Sequence, residues 1–240
     1  MAKYDVVLLD ADMTLLDFRR AHGEALGRVL TRYGVAPTEH IRQDYEKINR
    51  ALWEALARGE VDQDFVSVER FAALARAHNL RWDARAVNGA YVNALGEEGH
   101  LLPGAEEFCR TLCGAGLTLG LATNGLPAAQ RGRWEKTGLN RYIPHLFISM
   151  ELGASKPRRA FFEKIFATLG LTDLRRVVMV GDELETDILG ANRAGIDSIW
   201  YNPEGRPRTG QAHPTHIAGS YGEMIALILE DHITGHPQSM

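Results

Sequence analysis

The sequence is poor in cysteine and has no excess of basic residues. Its 240 residues include two cysteines, Cys109 and Cys113, and the formal net charge at pH 7 is −4. The cysteines lie four positions apart within one helical pattern, and no second pair of cysteine or histidine residues completes a zinc site. Because a basic excess is missing, an extended nucleic-acid-binding surface is excluded as the main function. The cysteine usage is typical of a reducing compartment.

Long apolar runs are also missing. No stretch approaches the roughly 18 apolar residues of a membrane span, and the apolar run that begins at Val6 is too short for a signal peptide and ends in acidic residues. We therefore expect a soluble cytoplasmic protein, monomeric or homodimeric, that binds a small molecule rather than a membrane or a nucleic-acid polymer. The hydrophobic content of 45% is nevertheless enough for a full core and one inserted domain.

Strand and helix patterns alternate along much of the chain. After one short strand at residues 6–9, residues 17–100 show only helical periodicity, which is broken at Gly59, Asn79 and Gly96. From residue 101 onward, helices alternate with further strands. These strands are expected near residues 117–122, 145–149, 176–180 and 197–201.

This alternation predicts an α/β fold: a Rossmann-like parallel sheet with helices on both faces, plus an all-helical cap inserted after the first strand. The predicted catalytic core comprises residues 1–16 and 101–240, and the predicted cap comprises residues 17–100. Such sheets bind ligands outside the carboxyl ends of their strands, so we expect the cap to act as a lid over that edge. The polar segment His232–Met240 is expected to fray.

The first strand ends at two acidic residues. The apolar run Val6–Leu9 leads directly into Asp10, and Asp12 follows two positions later. Two carboxylates so close together in a partly buried place raise each other's pKa unless a cation lies between them. A divalent metal ion is the simplest cation to expect there.

Two further polar clusters follow later strands. Thr123-Asn124-Gly125 could form a small anion-binding nest after the second strand, although alone this tripeptide is typical of an ordinary turn. Lys156 precedes Pro157, between a strand and a helix. A lysine at that place could neutralise phosphate oxygens as a point charge.

An acidic loop follows the strand that ends at Val180. Four carboxylates occur within six residues of the segment 182–187, and they repel one another unless a cation or hydrogen-bond donors offset their charge. Asp182 is the natural metal ligand because it comes first after the strand and its glycine. Asp187, near the start of the next helix, is expected to accept backbone N–H bonds and orient the site.

Together these clusters resemble, in their order along the chain, the motifs of the haloacid dehalogenase superfamily of phosphohydrolases. The motifs are Asp10-Ala11-Asp12-Met13-Thr14, Thr123-Asn124-Gly125, Lys156-Pro157, and Gly181-Asp182 with Asp187. Each motif is weak or moderate by itself, but the ordered set is specific. The helical insertion between the first and second motifs also resembles a cap subclass of this family.

The resemblance implies a magnesium-dependent phosphatase. Asp10 would be the nucleophile that forms an aspartyl-phosphate, and Asp12 would be the general acid and then the base that activates water. Asp10, Asp182 and the main-chain carbonyl of Asp12 would hold Mg²⁺. The groups expected to bind phosphate are Thr123, Asn124, Gly125 and Lys156, and those expected to orient the site from behind are Thr14 and Asp187.

Two residues of the first motif bear on the subgroup. Family members that displace halide from carbon have no alkoxide to protonate, so Asp12 favours phosphoryl transfer. Many family phosphatases have glycine where this chain has Met13, and the nucleotidase branch also carries a larger residue there. Further segments resemble that branch, which implies a pyrimidine nucleoside 5′-monophosphate phosphatase: Asp44-Tyr45, Asn49, Leu52-Trp53 and Asp187-Ile188-Leu189-Gly190.

Substrate choice is expected to come from the cap, because the four motifs contact only phosphate. Phe18 and Trp53 are candidates for stacking on a nucleobase, and Asn49 for a contact to its edge. Packing between cap helices is the more common role of a lone tryptophan at helical spacing. Three alternatives stay open: a phosphatase for a small sugar or organic acid phosphate such as phosphoglycolate, a phosphomutase, and a non-catalytic binding module.

Overall fold

The computed structural model describes residues 2–229, so the predicted fraying segment His232–Met240 lies outside the described residues. The chain divides into two compact units. One unit comprises the residues up to Phe18 together with those from Gly99 onward, and it is called the core below. The other unit, Arg19–Glu98, is called the cap.

A six-stranded parallel sheet forms the centre of the core. Its strands are β1 (Val6–Leu9), β2 (Thr118–Thr123), β3 (His145–Ile148), β4 (Val177–Gly181), β5 (Asp197–Tyr201) and β6 (His216–Ala218). Their order is β3-β2-β1-β4-β5-β6, and each neighbouring pair is parallel. The predicted Rossmann-like α/β fold is confirmed. The three-residue edge strand β6 was not predicted, because a strand this short shows no alternation of apolar and polar residues.

Strand β1 is buried on both faces because helices cover the sheet on either side. Val7 and Leu9 belong to a cluster with helices α5 (Ala105–Gly114) and α10 (Tyr221–Leu229). Val6 and Leu8 belong to a second cluster with helices α8 (Arg159–Leu169) and α9 (Leu189–Ala194). A parallel strand covered in this way is apolar at successive positions instead of alternating.

The other core helices are short and lie next to strand ends. They are α6 (Pro127–Lys136) and α7 (Ser149–Leu152). After β4 the chain forms a π-helical turn, Leu184–Ile188, which is followed by α9. Single π-helical turns are common at functional sites, and this one contains Asp187.

The cap contains helices only. They are α1 (Phe18–Arg32), whose first residue belongs to the core, α2 (Glu39–Ala57), α3 (Gln63–Ala77) and α4 (Ala84–Gly96). Side chains of Thr38, Asp62 and Asp83 cap α2, α3 and α4 by accepting bonds from first-turn N–H groups. Among residues 2–229, no helix combines the length and the apolar character that crossing a membrane requires.

An aromatic cluster fills the interior of the cap. Tyr45 lies at its centre, with ring centroids 5.3 Å from both His22 and Phe71. Tyr91 completes the cluster, 5.5 Å from Phe71. These spacings are typical of packed aromatic pairs, so the cap has a core of its own.

Candidate active site

Asp10 lies directly after β1, at the edge where three neighbouring strands end. Leu9 is in register with Leu121 of β2 and with Val180 of β4. The backbone N–H of Asp10 donates to the carbonyl of Val180 at 2.9 Å, which continues the sheet by one bond. The side chain of Asp10 is therefore fixed beside the ends of β2 and β4, and only 8% of this residue is exposed.

Lys156 supplies the positive charge next to Asp10. Its Nζ lies 2.5 Å from Oδ1 of Asp10, 2.7 Å from Oδ1 of Asp187 and 2.7 Å from the carbonyl oxygen of Ala122. An ammonium has three N–H donors, so all of them have partners within the protein. The structure thus shows Lys156 holding two carboxylates, and its expected contact with phosphate stays a prediction.

The turn after β2 positions the lysine. Asn124 donates from Nδ2 to the carbonyl of Lys156 at 2.9 Å and accepts from the N–H of Lys156 at 3.0 Å. Thr123, 2% exposed, accepts from the N–H of Gly125 at 3.0 Å. The side-chain amide of Asn124 is therefore bonded to the loop that carries Lys156. The hydroxyl hydrogen of Thr123 is the better-placed donor for an anion, because the N–H of Gly125 already bonds to the Thr123 oxygen.

The acidic loop after β4 folds back over its own glycine. The buried carboxylate of Asp187 accepts from the N–H of Glu183 at 3.1 Å, in addition to its bond from Lys156. A Cβ atom at Gly181 would collide with this carboxylate. Glycine is therefore required at position 181 because Asp187 occupies the space that a side chain would need.

Asp182 faces the same place from β4. Its carboxylate lies 3.5 Å from the Thr14 hydroxyl, a long hydrogen bond, and 3.7 Å from a guanidinium nitrogen of Arg206. Its main-chain carbonyl accepts from Nε1 of Trp200 at 3.0 Å. Thr14 is fully buried, and its own carbonyl accepts from the Tyr221 hydroxyl at 2.8 Å. Thr14 and Trp200 thus contact Asp182 from behind, and the orienting role expected of Thr14 stays a prediction.

Three carboxylates converge at this edge of the sheet. Oxygen atoms of Asp10, Asp182 and Asp187 all lie within 4.8 Å of one another. Lys156 balances one of these three negative charges, and Arg206 reaches only Asp182. Hard oxygen donors with an uncompensated negative charge fit a divalent cation of the Mg²⁺ type. The side chain of Asp12 is not a member of this group, and its expected contribution is the main-chain carbonyl.

The pKa values of the site show the same excess of negative charge. Burial, together with the charges of Asp187 and Glu183, raises the pKa of Asp182 from 3.8 to about 7. Burial also raises the pKa of Asp10 well above its ordinary value, and the lowering effect of Lys156 does not offset it. Burial alone would lower the pKa of Lys156, but the carboxylates of Asp10 and Asp187 raise it. The lysine is therefore charged, and one more cation would stabilise the carboxylates.

Asp12 has partners of a different kind. Its Oδ1 accepts from Nη1 of Arg133 at 2.6 Å, and its Oδ2 accepts from Nε2 of Gln130 at 2.8 Å. Both donors lie on α6, three positions apart and therefore on one helix face. They were missed at the level of sequence. The available signal was a glutamine and an arginine at that spacing on the helix that follows Thr123-Asn124-Gly125.

Met13 adopts a backbone conformation that favours glycine. Its φ angle is 61°, in the left-handed region where a side chain costs of the order of 1 kcal/mol. The N–H of Met13 bonds to the carbonyl of Leu16 at 2.9 Å, which closes the turn after Asp12. The glycine expected from the resemblance thus corresponds to a real conformational requirement, and this chain meets it with methionine.

The three residues predicted to contact substrate lie in different units. Phe18 belongs to the core, where its ring centroid lies 5.7 Å from the Arg133 guanidinium. Asn49 and Trp53 are four positions apart on α2 of the cap, and both are half-buried. Oδ1 of Asn49 is buried and has no hydrogen-bond partner among the described residues.

Comparison with known proteins decides the family. A profile of the haloacid dehalogenase-like hydrolases matches residues 4–195. The chain belongs to the haloacid dehalogenase-like hydrolases. The match includes all four motifs around the site, so the predicted resemblance to this family is confirmed.

Two curated members of this hydrolase family are similar over almost their whole length. Pyrimidine 5′-nucleotidase PynA of Streptococcus pneumoniae is 35% identical over 222 residues, which are 92% of this chain and 94% of the relative. Pyrimidine 5′-nucleotidase YjjG of Escherichia coli is 34% identical over 226 residues, which are 94% of this chain and 98% of the relative.

A solved structure of another hydrolase of this kind has the same fold. The putative HAD-hydrolase YfnB of Bacillus subtilis, crystallised with magnesium bound, superimposes with a TM-score of 0.88 at 28% identity. The alignment covers 94% of this chain and 98% of YfnB. That structure is described as revealing interdomain movement.

Proposed function

We propose that this hydrolase is a magnesium-dependent phosphomonoesterase that acts on nucleoside 5′-monophosphates, with a preference for pyrimidines, through an aspartyl-phosphate. The observation that carries the proposal is the difference between its two neighbouring aspartates. Asp10 is buried against Lys156 among the carboxylates, whereas Asp12 is 30% exposed at its side chain and bonded to α6. Two carboxylates in such different surroundings are suited to two different roles.

In the first step Asp10 acts as the nucleophile. A carboxylate oxygen of Asp10 attacks phosphorus in line, the P–O bond to the nucleoside breaks, and the departing oxygen takes a proton from the carboxyl group of Asp12. The products are the free nucleoside and a phosphorylated Asp10. Lys156 holds the attacking carboxylate in one orientation, which lowers the entropic cost of reaching the transition state.

In the second step Asp12 acts as the base. It takes a proton from water, the water oxygen attacks phosphorus, and the bond to Asp10 breaks, which releases phosphate and restores both aspartates to their starting protonation. The Thr123 hydroxyl, whose oxygen accepts from the N–H of Gly125, is placed to donate its own hydrogen to an equatorial phosphate oxygen.

The residues that would hold Mg²⁺ are Asp10, Asp182 and the carbonyl of Asp12, with Asp187 orienting them through Lys156 and the acidic loop. When bound, the ion offsets the repulsion between the attacking carboxylate and the phosphate dianion. The three clustered carboxylates have an uncompensated negative charge, and the YfnB relative is bound to magnesium in its structure. Both observations support this assignment.

The substrate class rests on the nucleotidase relatives and on the cap. PynA and YjjG align over almost the whole chain, cap included. Oδ1 of Asn49 on α2, which has no hydrogen-bond partner within residues 2–229, is an acceptor for the edge of a base. Trp53, one turn away, offers an aromatic surface. A small sugar phosphate has no base to use these two groups.

A phosphate-release screen tests the proposal. The purified protein is incubated with dTMP, dUMP, UMP, purine nucleotides, sugar phosphates and phosphoglycolate, with Mg²⁺ and with a chelator. We expect the pyrimidine nucleotides to have the highest kcat/KM and the chelator to abolish turnover. Preference for phosphoglycolate would contradict the substrate class, and full activity in the chelator would contradict the metal.

The variant Asp12→Asn tests the roles of the two aspartates. It keeps the shape of the side chain but cannot transfer the proton, so kcat should fall by about 10²- to 10⁴-fold. Magnesium affinity, measured by calorimetry, should change little because the carbonyl of residue 12 is retained. Wild-type activity in this variant would disprove the assigned role.

A further inference from the structure

Helix α6 presents two buried polar side chains to Asp12. Gln130 is 2% exposed and Arg133 is fully buried. Each bonds a different oxygen of the carboxylate, at 2.8 Å and 2.6 Å respectively. Two donors on two oxygens fix both the position and the plane of the carboxyl group.

Burial of the Arg133 side chain is energetically costly. Within residues 2–229, this side chain forms its hydrogen bond with Asp12. Nε and Nη2 of Arg133 are buried without a hydrogen-bond partner among the described residues. The ring of Phe18, with its centroid 5.7 Å from the guanidinium carbon, contributes a cation–π contact. A buried cation with unmet donors is destabilising compared with an apolar side chain. Stability of α6 therefore does not explain why an arginine stands there.

The glutamine connects Asp12 to the turn after β2. A Cβ atom at Gly125 would collide with the side chain of Gln130. Gln130 can therefore reach Asp12 only because residue 125 is glycine. The N–H of the same glycine bonds to the side chain of Thr123, so the turn that holds Thr123 and the support of Asp12 share one structural element.

We propose that Arg133 and Gln130 are positioning residues that hold the Asp12 carboxyl group for proton transfer to the leaving oxygen. The inference rests on the proposed function, in which Asp12 is the general acid. Each carboxylate oxygen has a second lone-pair site, so these two bonds leave sites at which the transferred proton can reside. The proton passes from Asp12 to the ester oxygen as the P–O bond breaks, and α6 holds the donor in line.

This role predicts a dependence on the leaving group. An alkyl ester such as a nucleoside monophosphate needs the proton as its bond breaks, whereas an activated aryl phosphate leaves well without it. Misplacement of Asp12 should therefore reduce kcat/KM, which reports the step up to departure of the leaving group, far more for the alkyl ester. A residue that only supports the fold would affect both substrates equally.

The experiment compares Arg133→Met with Arg131→Met on dTMP and on p-nitrophenyl phosphate. Arg131 is on the same helix but is paired with Glu151 at the surface, at 2.6 Å. For Arg133→Met we expect kcat/KM to fall about 10- to 100-fold on dTMP, as for loss of a charged hydrogen bond, and less than threefold on the aryl ester. Arg131→Met should match wild type on both, and Arg133→Lys should recover part of the loss.

Equal losses on the two substrates would overturn the inference, as would unchanged activity on dTMP. If Arg133→Met does not fold, Gln130→Met provides the same comparison, with an expected loss of about 3- to 10-fold on dTMP only. In an Asp12→Asn background, replacing Arg133 should lower kcat/KM on dTMP less than threefold. If the replacement lowered kcat/KM as much as it does in the wild-type background, the inference would also be overturned. A wild-type protein that hydrolyses neither ester would instead refute the proposed function.

Discussion

The core and the cap both bury polar side chains, but in different ways. At the strand ends of the core, the buried groups are charges of opposite sign, with Lys156 between Asp10 and Asp187 at 2.5 Å and 2.7 Å. In the cap interior, the pairs are His22 with Tyr91 at 2.7 Å and Arg70 with Asn88 at 2.6 Å. The partners in these two pairs are neutral aromatic or amide groups, whereas the charge pairs Arg28 with Glu98 and His22 with Glu46 each have one side chain that is 50% exposed. The core is thus organised around charge, as phosphate chemistry requires, and the cap around packing and hydrogen bonding.

The strongest test of this difference removes the central charge of the core. In Lys156→Met, Asp10 and Asp187 stay buried without their ammonium, so we expect a loss of about 3–5 kcal/mol in the free energy of unfolding at neutral pH. Turnover should also be lost because Asp10, the proposed nucleophile, is no longer held. Urea unfolding and phosphate release measure the two effects.

Lys164→Met is the matched control for Lys156. Lys164 lies on α8, and its ammonium donates to the carbonyl of Leu152 near the surface. We expect this control to stay within about 0.5 kcal/mol of wild type, as for ordinary surface substitutions. A Lys156→Met protein as stable as the control would show that the core does not depend on its buried charges.

The second test acts on the loop that carries Asp187. In Gly181→Ala the new methyl group collides with the Asp187 carboxylate, so we expect about 1–3 kcal/mol of destabilisation, as for overpacking elsewhere. Gly114→Ala, in α5, adds a methyl group where nothing lies within 4 Å, and it should be neutral or slightly stabilising. Thermal unfolding of both variants makes the comparison, and equal melting temperatures would contradict it.

Much of the core could be predicted because the residues of its candidate site follow strands in the chain. An apolar run that stops at Asp10 indicates both the strand and the site, and the same holds for Val180 and Asp182. Parallel topology then brings these positions to one edge without any further information. The confirmed Rossmann-like sheet and family membership therefore depended on local patterns that the chain shows openly.

The support of Asp12 was not predicted, because it depends on side-chain direction. Gln130 and Arg133 lie well over a hundred positions after Asp12 in the sequence, and on an isolated helix they are typical of a solvated face. Gln130 and Arg133 are buried because α6 packs against the rest of the core. Lys156 is a second case. Its place near the strand ends was predicted from the sequence. Its three bonds to protein oxygens were not predicted, because they follow from the geometry of the turn at Asn124.

The third test asks whether the cap selects the base. If a base stacks on Trp53, Trp53→Ala should lower the ratio of kcat/KM for dTMP to that for a plain phosphate ester by about 5- to 100-fold, the equivalent of 1–3 kcal/mol. Trp53→Phe keeps an aromatic surface and should retain most of the ratio. An unchanged ratio in Trp53→Ala would show that the tryptophan only packs between helices.

The smallest expected effect concerns a charge in the cap. Glu46 accepts from Nε2 of His22 at 2.7 Å, and this bond, more than any other contact, lowers the pKa of Glu46 below 4.5. A lowered pKa in the folded state means that the carboxylate stabilises the fold above its unfolded pKa, and that this contribution disappears as the pH falls through the folded pKa. Because half of the Glu46 side chain is exposed, solvent screens the pair and limits the contribution to about 0.2–1 kcal/mol.

Glu46→Gln should therefore lower the free energy of unfolding slightly at pH 7 and by less at about pH 3, because the contribution of the carboxylate decreases as the pH falls below the ordinary pKa of 4.5. Glu54→Gln, an exposed position on the same helix, should have little effect at either pH. Urea titrations at the two pH values measure the difference. If Glu46→Gln lowered the free energy of unfolding by more than about 2 kcal/mol at pH 7, the loss would exceed the range of exposed pairs. The cap would then also depend on a strong charge pair, and it would differ from the core only in degree.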